Sequence, residues 1–405
     1  MSFADILQSL DSRERDKLWL KVPSWTGLDI HVPRALNFQQ CSSEQTAVYK
    51  ASLVPEGVRV ADLTGGLGVD SWAFSRRASA VWYNERDAVL REAVEHNFAV
   101  LGVENTCFNS FDISSLTTEW FDSLRSFVPD VVYLDPARRD SAGRKVFLLE
   151  DCSPDVVSLM PSLLDIAPLV MVKVSPMADI TMLRRRLSPW LSELHVVGAK
   201  GECKELLCLC RRDAVFCGIV LAEDGVVFSG SCCTAQEMPL ETSASLHPSH
   251  CASLVGPSRL YETKFPPIVP KGTSALRGDH GRSRSPEASP ASVSQEPAEE
   301  LLFVPSAAMV KSGLGPGMAM LTYDEHLSHF GKFYQVIEPL PFASSVLKDL
   351  SKRWPQAEVT ARGVHLSSEE LRKKIRTKPG GPVHIFACVL EGARRLLVCR
   401  PFEKT

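Results

Sequence analysis

The sequence has no C-x-x-C pair. Its 12 cysteines are scattered, and neither Cys208-Leu209-Cys210 nor the adjacent Cys232-Cys233 matches a common zinc spacing. No metal site is expected; the thiols read as small hydrophobes in a reducing compartment. A run of eighteen apolar residues is also missing, so no transmembrane helix is expected. The first twenty residues, MSFADILQSLDSRERDKLWL, carry charges where a signal peptide needs an apolar core. The expectation is a cytoplasmic protein with no membrane partner. Net charge is small, 45 Lys and Arg against 48 Asp and Glu, which excludes a polycation that coats nucleic acid along its whole length. There is no internal repeat. What is present is 405 residues of ordinary globular composition, 44% hydrophobic, enough for two or three domains.

Residues 1–57 read as a helical segment, with Ser43 as an N-cap before EQTAVYKASLV. From Val58 the rhythm changes. β-rich runs at 58–63, 79–85, 104–109, 129–135, 168–174, 193–199 and 204–210 alternate with helical stretches such as 70–78 and 87–102. That alternation predicts a Rossmann-like α/β sheet over residues 58–231. Glu223-Asp224-Gly225 reads as a hairpin turn near its end. Residues 232–340 form a further segment. Within it, 271–300 has no aromatic residue and few aliphatics, and reads as a disordered insertion. Residues 341–405 read as a small α+β domain: a helix at 343–354, a strand at 357–364, a helix at 367–377 and a closing hairpin around Glu391-Gly392.

The first βα turn is DLTGGLGVD, Asp62 to Asp70. Gly65, Gly66 and Gly68 let backbone approach a ligand, and Asp70 begins the next helix, whose amides face the same place. Thr64 lies in the same turn. In open α/β sheets ligands bind at this edge. The second strand ends at Glu85, placed to accept from a ribose diol, and the third is followed by Asp112, placed to accept from an adenine amino group. Plainer readings exist: Asp112 capping the helix at Ile113, Glu85 pairing with Arg86 or Arg91. The three acids around one glycine loop together point to an adenosine-bearing ligand. A G-x-G-x-x-G dinucleotide site would need a glycine where Ser71 stands. Asp62 would repel a pyrophosphate but suit the ammonium of an amino acid, which favours S-adenosylmethionine.

Asp62–Asp70, Glu85, Asp112 and DVVYLDPARRD (130–140) resemble motifs I to IV of class I S-adenosylmethionine-dependent methyltransferases. Residues 42–53, 133–140, 172–180, 303–314 and 366–381 are similar to a bacterial group that adds a ferredoxin-like segment, here 232–340, and a C-terminal THUMP-like domain. The resemblance implies that Asp62, Gly65, Gly66 and Gly68 hold the methionine part of the cofactor, Glu85 the ribose and Asp112 the adenine. It puts Asp135-Pro136-Ala137-Arg138 at the reaction centre. Methyltransferases of exocyclic amines have a second proline and an aromatic where this chain has Ala137 and Arg138. Uridine C5 methyltransferases need a cysteine after the next strand, where this chain reads Lys173-Val174-Ser175-Pro176. Direct transfer without a cysteine nucleophile remains, with Asp135 orienting or deprotonating the acceptor and Lys173 facing the cleft. Arg138 and Arg139 would clamp a substrate phosphate or carboxylate. The alternatives are a solvated turn for the arginines and a snorkelling stem for Lys173.

Residues 345–405 hold 13 Lys and Arg against 6 Asp and Glu, while the rest of the chain is acidic. Arg372, Lys373, Lys374, Arg376 and Lys378 cluster on and after one helix. Either they contact RNA phosphates or they form a solvated helix face. The resulting expectation is a methyltransferase acting on tRNA or rRNA. Two alternatives stand beside it: a non-catalytic RNA-binding protein on a relict methyltransferase fold, and a methyltransferase acting on a small molecule or protein. The sequence sets no oligomeric state.

Overall fold

The structure, a computed structural model, describes residues 19–114, 118–136, 152–229, 260–261 (backbone only), 301–314, 319–322, 325–390 and 392–402. The insertion expected at 271–300 lies outside the described residues, as do residues 1–18, Arg138 and Arg139. The chain divides into two compact units, Met1–Pro266 and Pro267–Thr405.

The first unit is a ten-stranded sheet. Its strands are β1 (Arg59–Asp62), β2 (Ala80–Asn84), β3 (Thr106–Asn109), β4 (Val131–Leu134), β5 (Leu169–Val174), β6 (Leu191–Ala199), β7 (Glu202–Cys210), β8 (Gly218–Glu223), β9 (Val226–Ser229) and β10 (Leu260–Tyr261). Their spatial order is 10-9-8-6-7-5-4-1-2-3. Strands β1 to β5 run parallel, and β7 enters antiparallel between β5 and β6. The inner strands are apolar without alternation, Val131 to Leu134 being buried throughout, because helices cover both faces of a parallel sheet. The helices are α1 (Ala35–Gln40), α2 (Glu44–Ser52), α3 (Val69–Ser75), α4 (Ala88–Val100), α5 (Thr118–Phe127), α6 (Val156–Ile166) and α7 (Ile180–Leu187). Side-chain caps start several of them: Ser43 accepts from the Thr46 N–H, Asp87 from Val89 and Leu90, Asp155 from Val157 and Ser158, and Asp179 from Met182. Asp224 and Gly225 both have positive φ, as the β8–β9 hairpin turn requires.

Residues 19–57 are less helical than the sequence suggests. Pro23, Gly27 and Pro33 interrupt the segment, and helix is confined to a short stretch at 19–21, a 3-10 turn (Pro23–Trp25), α1 and α2. The segment is nonetheless packed: Val22, Trp25, Ile30, Val32 and Phe38 are buried, and α2 lies against α3.

The second unit is a six-stranded sheet in the order 12-11-13-16-15-14: β11 (Leu301–Pro305), β12 (Met320–Leu321), β13 (Gly331–Pro341), β14 (Glu358–Ala361), β15 (His384–Leu390) and β16 (Ala393–Pro401). Helix α8 (Ala307–Ser312) follows β11, and α9 (Ser344–Arg353) and α10 (Ser368–Ile375) cover one face. Period-two burial organises this sheet. Ile385, Ala387, Leu396 and Val398 face Leu347, Leu350, Leu371 and Ile375, while Phe386, Cys388, Leu397 and Cys399 pack with Leu302 on the other face. Strand β13 pairs with both β11 and β16, so one sheet runs across residue 340, where the sequence suggests a boundary. Pro339 and Pro341 suggest a break there. However, β11 pairs only with Gly331–Gln335, so those prolines occupy the half of β13 that has an edge among the described residues, where a missing N–H costs no ladder bond.

Candidate active site

The chain leaves β1 toward β2 and β3 on one side, and β4 and β5 lie on the other, so the carboxyl end of β1 is the topological switch point. The glycine loop there is held from below. Asp62 is fully buried; one carboxylate oxygen accepts from the Thr64 N–H at 3.0 Å and the other from the Ser71 hydroxyl at 2.6 Å. Burial, partly offset by Ser71, pushes its carboxyl up to about 7. Gly65 passes over the Tyr83 ring so closely that a Cβ would sit 2.0 Å from it. Tyr83 donates its hydroxyl to the Gly66 carbonyl at 2.5 Å. Gly68 has φ +80° and caps α3, with Val94 and Phe98 filling the space of a side chain. Gly66, φ +53°, has only the Thr64 carbonyl within 4 Å of a Cβ position, so its outer side is open.

Glu85, just past β2, meets this loop. Its Oε2 accepts from the Gly66 N–H at 3.1 Å and its Oε1 from the Asp87 N–H at 2.9 Å. Buried Asn84 ties the strand ends together, donating to the Leu63 and Phe111 carbonyls and accepting from the Phe111 N–H. Asp112 is exposed beyond β3. Its Oδ1 accepts from the N–H and hydroxyl of Ser114, and those bonds hold its carboxyl below the usual range. These bonds close a local turn at Ile113–Ser114; no helix starts at Ile113, so Asp112 is not the helix cap that the plainer reading had.

On the other side of the switch point, the Asp135 N–H donates to Thr64 Oγ1 at 2.6 Å, joining the end of β4 to the glycine loop. Pro136 beside it is buried. Lys173, near the end of β5, donates to Asp135 Oδ2 at 2.6 Å. Burial by itself would lower the Lys173 ammonium, but Asp135, Glu205 and Asp70 outweigh it, and the amine is held charged. Asp70, expected at the cofactor, is instead buried in this ion network. Its Oδ2 accepts from Ser42 and Tyr133, both at 2.8 Å, and its Oδ1 lies 3.0 Å from Lys50 Nζ.

The structure thus brings Asp62, Thr64, Gly65, Gly66, Gly68, Glu85, Asp135, Pro136 and Lys173 to one edge, with Asp112 at its margin. Sequence reasoning missed Ser42, Lys50, Tyr133 and Glu205. Lys50 is completely buried and donates to Ser42 at 2.8 Å and to both Glu205 oxygens at 2.9 and 3.1 Å. Burial pushes the Glu205 carboxyl up against the pull of Lys50 and Lys173. A lysine on the inner face of α2 and a glutamate inside the apolar run of β7 were the available signals, each an uncompensated charge among buried neighbours.

The C-terminal cluster splits in the second unit. Lys373, Lys374, Arg376 and Lys378 are exposed, whereas Arg372 is half-buried with its guanidinium 3.6 Å from Glu358. Lys373 also pairs with Glu369 at 2.9 Å, both about three-quarters exposed, a contact worth well under 1 kcal/mol. The turn after α10 is rigid: Gly380 donates to Glu358, and at Gly381 a Cβ would lie 2.4 Å from the Gln356 carbonyl.

Among the described residues, one group, Asp29, His31 and His96, has the donor types of a cation site. Its imidazoles stack 3.6 Å apart at 16°, so their in-plane lone pairs run side by side instead of converging.

No curated protein sequence matches this chain. Residues 331–401 match the family described as THUMP domain-like. A presumed methyltransferase from Porphyromonas gingivalis W83 aligns at 24% identity over 100% of this chain and 95% of its own, with a TM-score of 0.68. An rRNA methylase from Streptococcus thermophilus, at 11% identity, covers 41% of this chain and 93% of its own; its TM-score of 0.29 is too low to bear on function. No described helix is long and apolar enough to cross a membrane. Over its whole length the chain has the fold of the Porphyromonas gingivalis protein, with a THUMP-like domain at residues 331–401.

Proposed function

We propose that this protein is an S-adenosylmethionine-dependent methyltransferase acting on RNA, tRNA or rRNA, by direct transfer without a cysteine nucleophile. The observation that carries the reading is the single row of groups at the switch point: the open glycine loop at Thr64–Gly66, then Glu85, then Asp112, with Asp135 and Lys173 opposite. The row fits the cofactor. Each Glu85 oxygen accepts one backbone N–H and keeps a second lone pair for a ribose hydroxyl. Asp112 stands exposed where an adenine amino group would lie. A contact from Asp62 to the ammonium does not fit, because the side chain is fully buried beneath the loop, bound to Thr64 and Ser71; Asp62 shapes the loop instead. Ser71, in the place of a third glycine, is bound to Asp62, which argues against a dinucleotide.

When bound, the cofactor supplies an electrophilic methyl group. The chain's own residues fix the acceptor. Asp135, anchored by Thr64 and paired with Lys173, presents a carboxylate about one-third exposed at the loop. Burial pushes the Cys41 thiol up to about 11 and the Cys208 thiol to about 12, so neither offers a ready thiolate, in keeping with a route that needs none. Arg138 and Arg139 complete the reading as phosphate clamps, and the exposed Lys373, Lys374, Arg376 and Lys378, with partly buried Arg372, as RNA contacts. Calorimetry with S-adenosylhomocysteine tests the cofactor, and absence of binding by the intact protein overturns the proposal. Labelled methyl from the cofactor should enter RNA of a deletion strain and fail to do so with Asp135→Ala.

A further inference from the structure

Two lysines and three carboxylates meet beside the reaction centre, and they are not equivalent. Lys50 is enclosed by Ser42, Glu205 and Asp70 and has no exposed surface, so it cannot touch a substrate. Ser42 links it onward: the hydroxyl donates to Asp70, accepts from Lys50, and lies 3.4 Å from Lys173 Nζ. Lys173 and Asp135 form the outer end of this chain of charges, where the carboxylate opens to the cleft. The inner groups act as positioning residues for that outer pair.

A fixed ammonium discriminates between acceptors. A neutral amine that attacks a methyl donor becomes positive as the bond forms, and a neighbouring cation opposes this. A hydroxyl that attacks loses its proton, and its oxygen carries negative charge as the O–H bond weakens, which a neighbouring cation favours. The motif points the same way, since Ala137-Arg138 supplies no aromatic platform on which to stack an extruded base. Building on the methyltransferase reading, we infer that the acceptor is a hydroxyl oxygen, the ribose 2′-hydroxyl of RNA, with Asp135 taking its proton and Lys173 steadying the oxygen. The O–CH3 bond forms as the donor's S–CH3 bond breaks with its electron pair left on sulfur, and the hydroxyl proton passes to the Asp135 carboxylate. A 2′-hydroxyl is reachable without flipping the base, and it distinguishes RNA from DNA.

The test incubates RNA from a deletion strain with the full-length protein and labelled cofactor, digests it to nucleosides and locates the methyl by mass spectrometry. The methyl is expected on the sugar. Lys173→Met should lower transfer by about 100-fold or more, leave calorimetric S-adenosylhomocysteine affinity unchanged, and be partly rescued by Lys173→Arg, which keeps the charge if the methionine variant folds poorly. Methyl on a base overturns the inference and leaves the methyltransferase reading standing. Unlabelled RNA with intact S-adenosylhomocysteine binding overturns it too. Full transfer by Lys173→Met removes the role assigned to the ammonium. Absence of S-adenosylhomocysteine binding by the parent protein fails the underlying reading itself.

Discussion

Asp62 illustrates how one buried side chain couples the glycine loop to pH. Its folded-state carboxyl stands near 7 against 3.8 in the unfolded chain, with burial as the main cause. Between those values the native protein holds a proton that the unfolded chain has released. The associated stability is fully present below the unfolded value and falls as pH rises through about 7, with a slope of at most about 1.4 kcal/mol per pH unit. Asp62→Asn should flatten that decline between pH 5 and 8, as measured by urea denaturation at several pH values. Lys50 makes the opposite case. Replacing it by Met leaves Asp70 and Glu205 buried without their cation, a loss of about 3–5 kcal/mol. Adding Glu205→Gln should recover part of it, and denaturation midpoints of the single and double variants measure this.

Two short elements carry the surfaces proposed to bind cofactor and RNA. The loop between β1 and α3 works because Gly65 has no side chain: a Cβ would strike Tyr83, which cannot retreat because its hydroxyl holds Gly66. Gly65→Ala should therefore abolish S-adenosylhomocysteine binding in calorimetry, with Gly57→Ala, which carries the strain of a φ of +78° but meets no neighbour, as a control that loses some stability and still binds. Helix α10 presents its cations from a well-fixed platform. A capping box of Ser367 and Glu370 starts it, and its end is tied by the Arg376 N–H to the Arg372 carbonyl. Replacing Lys373, Lys374 and Arg376 by Gln should weaken RNA binding uniformly across sequences. The log affinity against log salt slope should become shallower by about 2, read by filter binding from low to moderate salt. An unchanged slope would assign the cluster to a solvated helix face.

The molecule consists of two units with separate cores, so heating should produce two calorimetric transitions. S-adenosylhomocysteine should move one of them, that of the sheet bearing the glycine loop, by about 2.7 kcal/mol at a hundredfold excess over Kd. The other transition should stay in place. A single transition shifted as a whole would mean that the units unfold together.

Much of this organisation was readable along the chain. The βα rhythm, the cap at Ser43, the glycine loop and the acids at successive strand ends are local patterns, set by residue periodicity and by spacings of about twenty residues. The pairing of Asp135 with Lys173 was also within reach, because both sit at the carboxyl ends of neighbouring parallel strands. What lay beyond the sequence were meetings between distant segments and the burial they create. Lys50 and Glu205 are 155 residues apart and form one ion pair only because α2 and β7 close on the same core. Asp62 and Asp70 looked alike as acids flanking a glycine loop, yet one keeps its proton near neutrality and the other is a counter-ion for a buried lysine. A residue's type and spacing say which chemistry it offers. Packing sets its solvent and its neighbouring charges, and those determine which of its chemistries it uses.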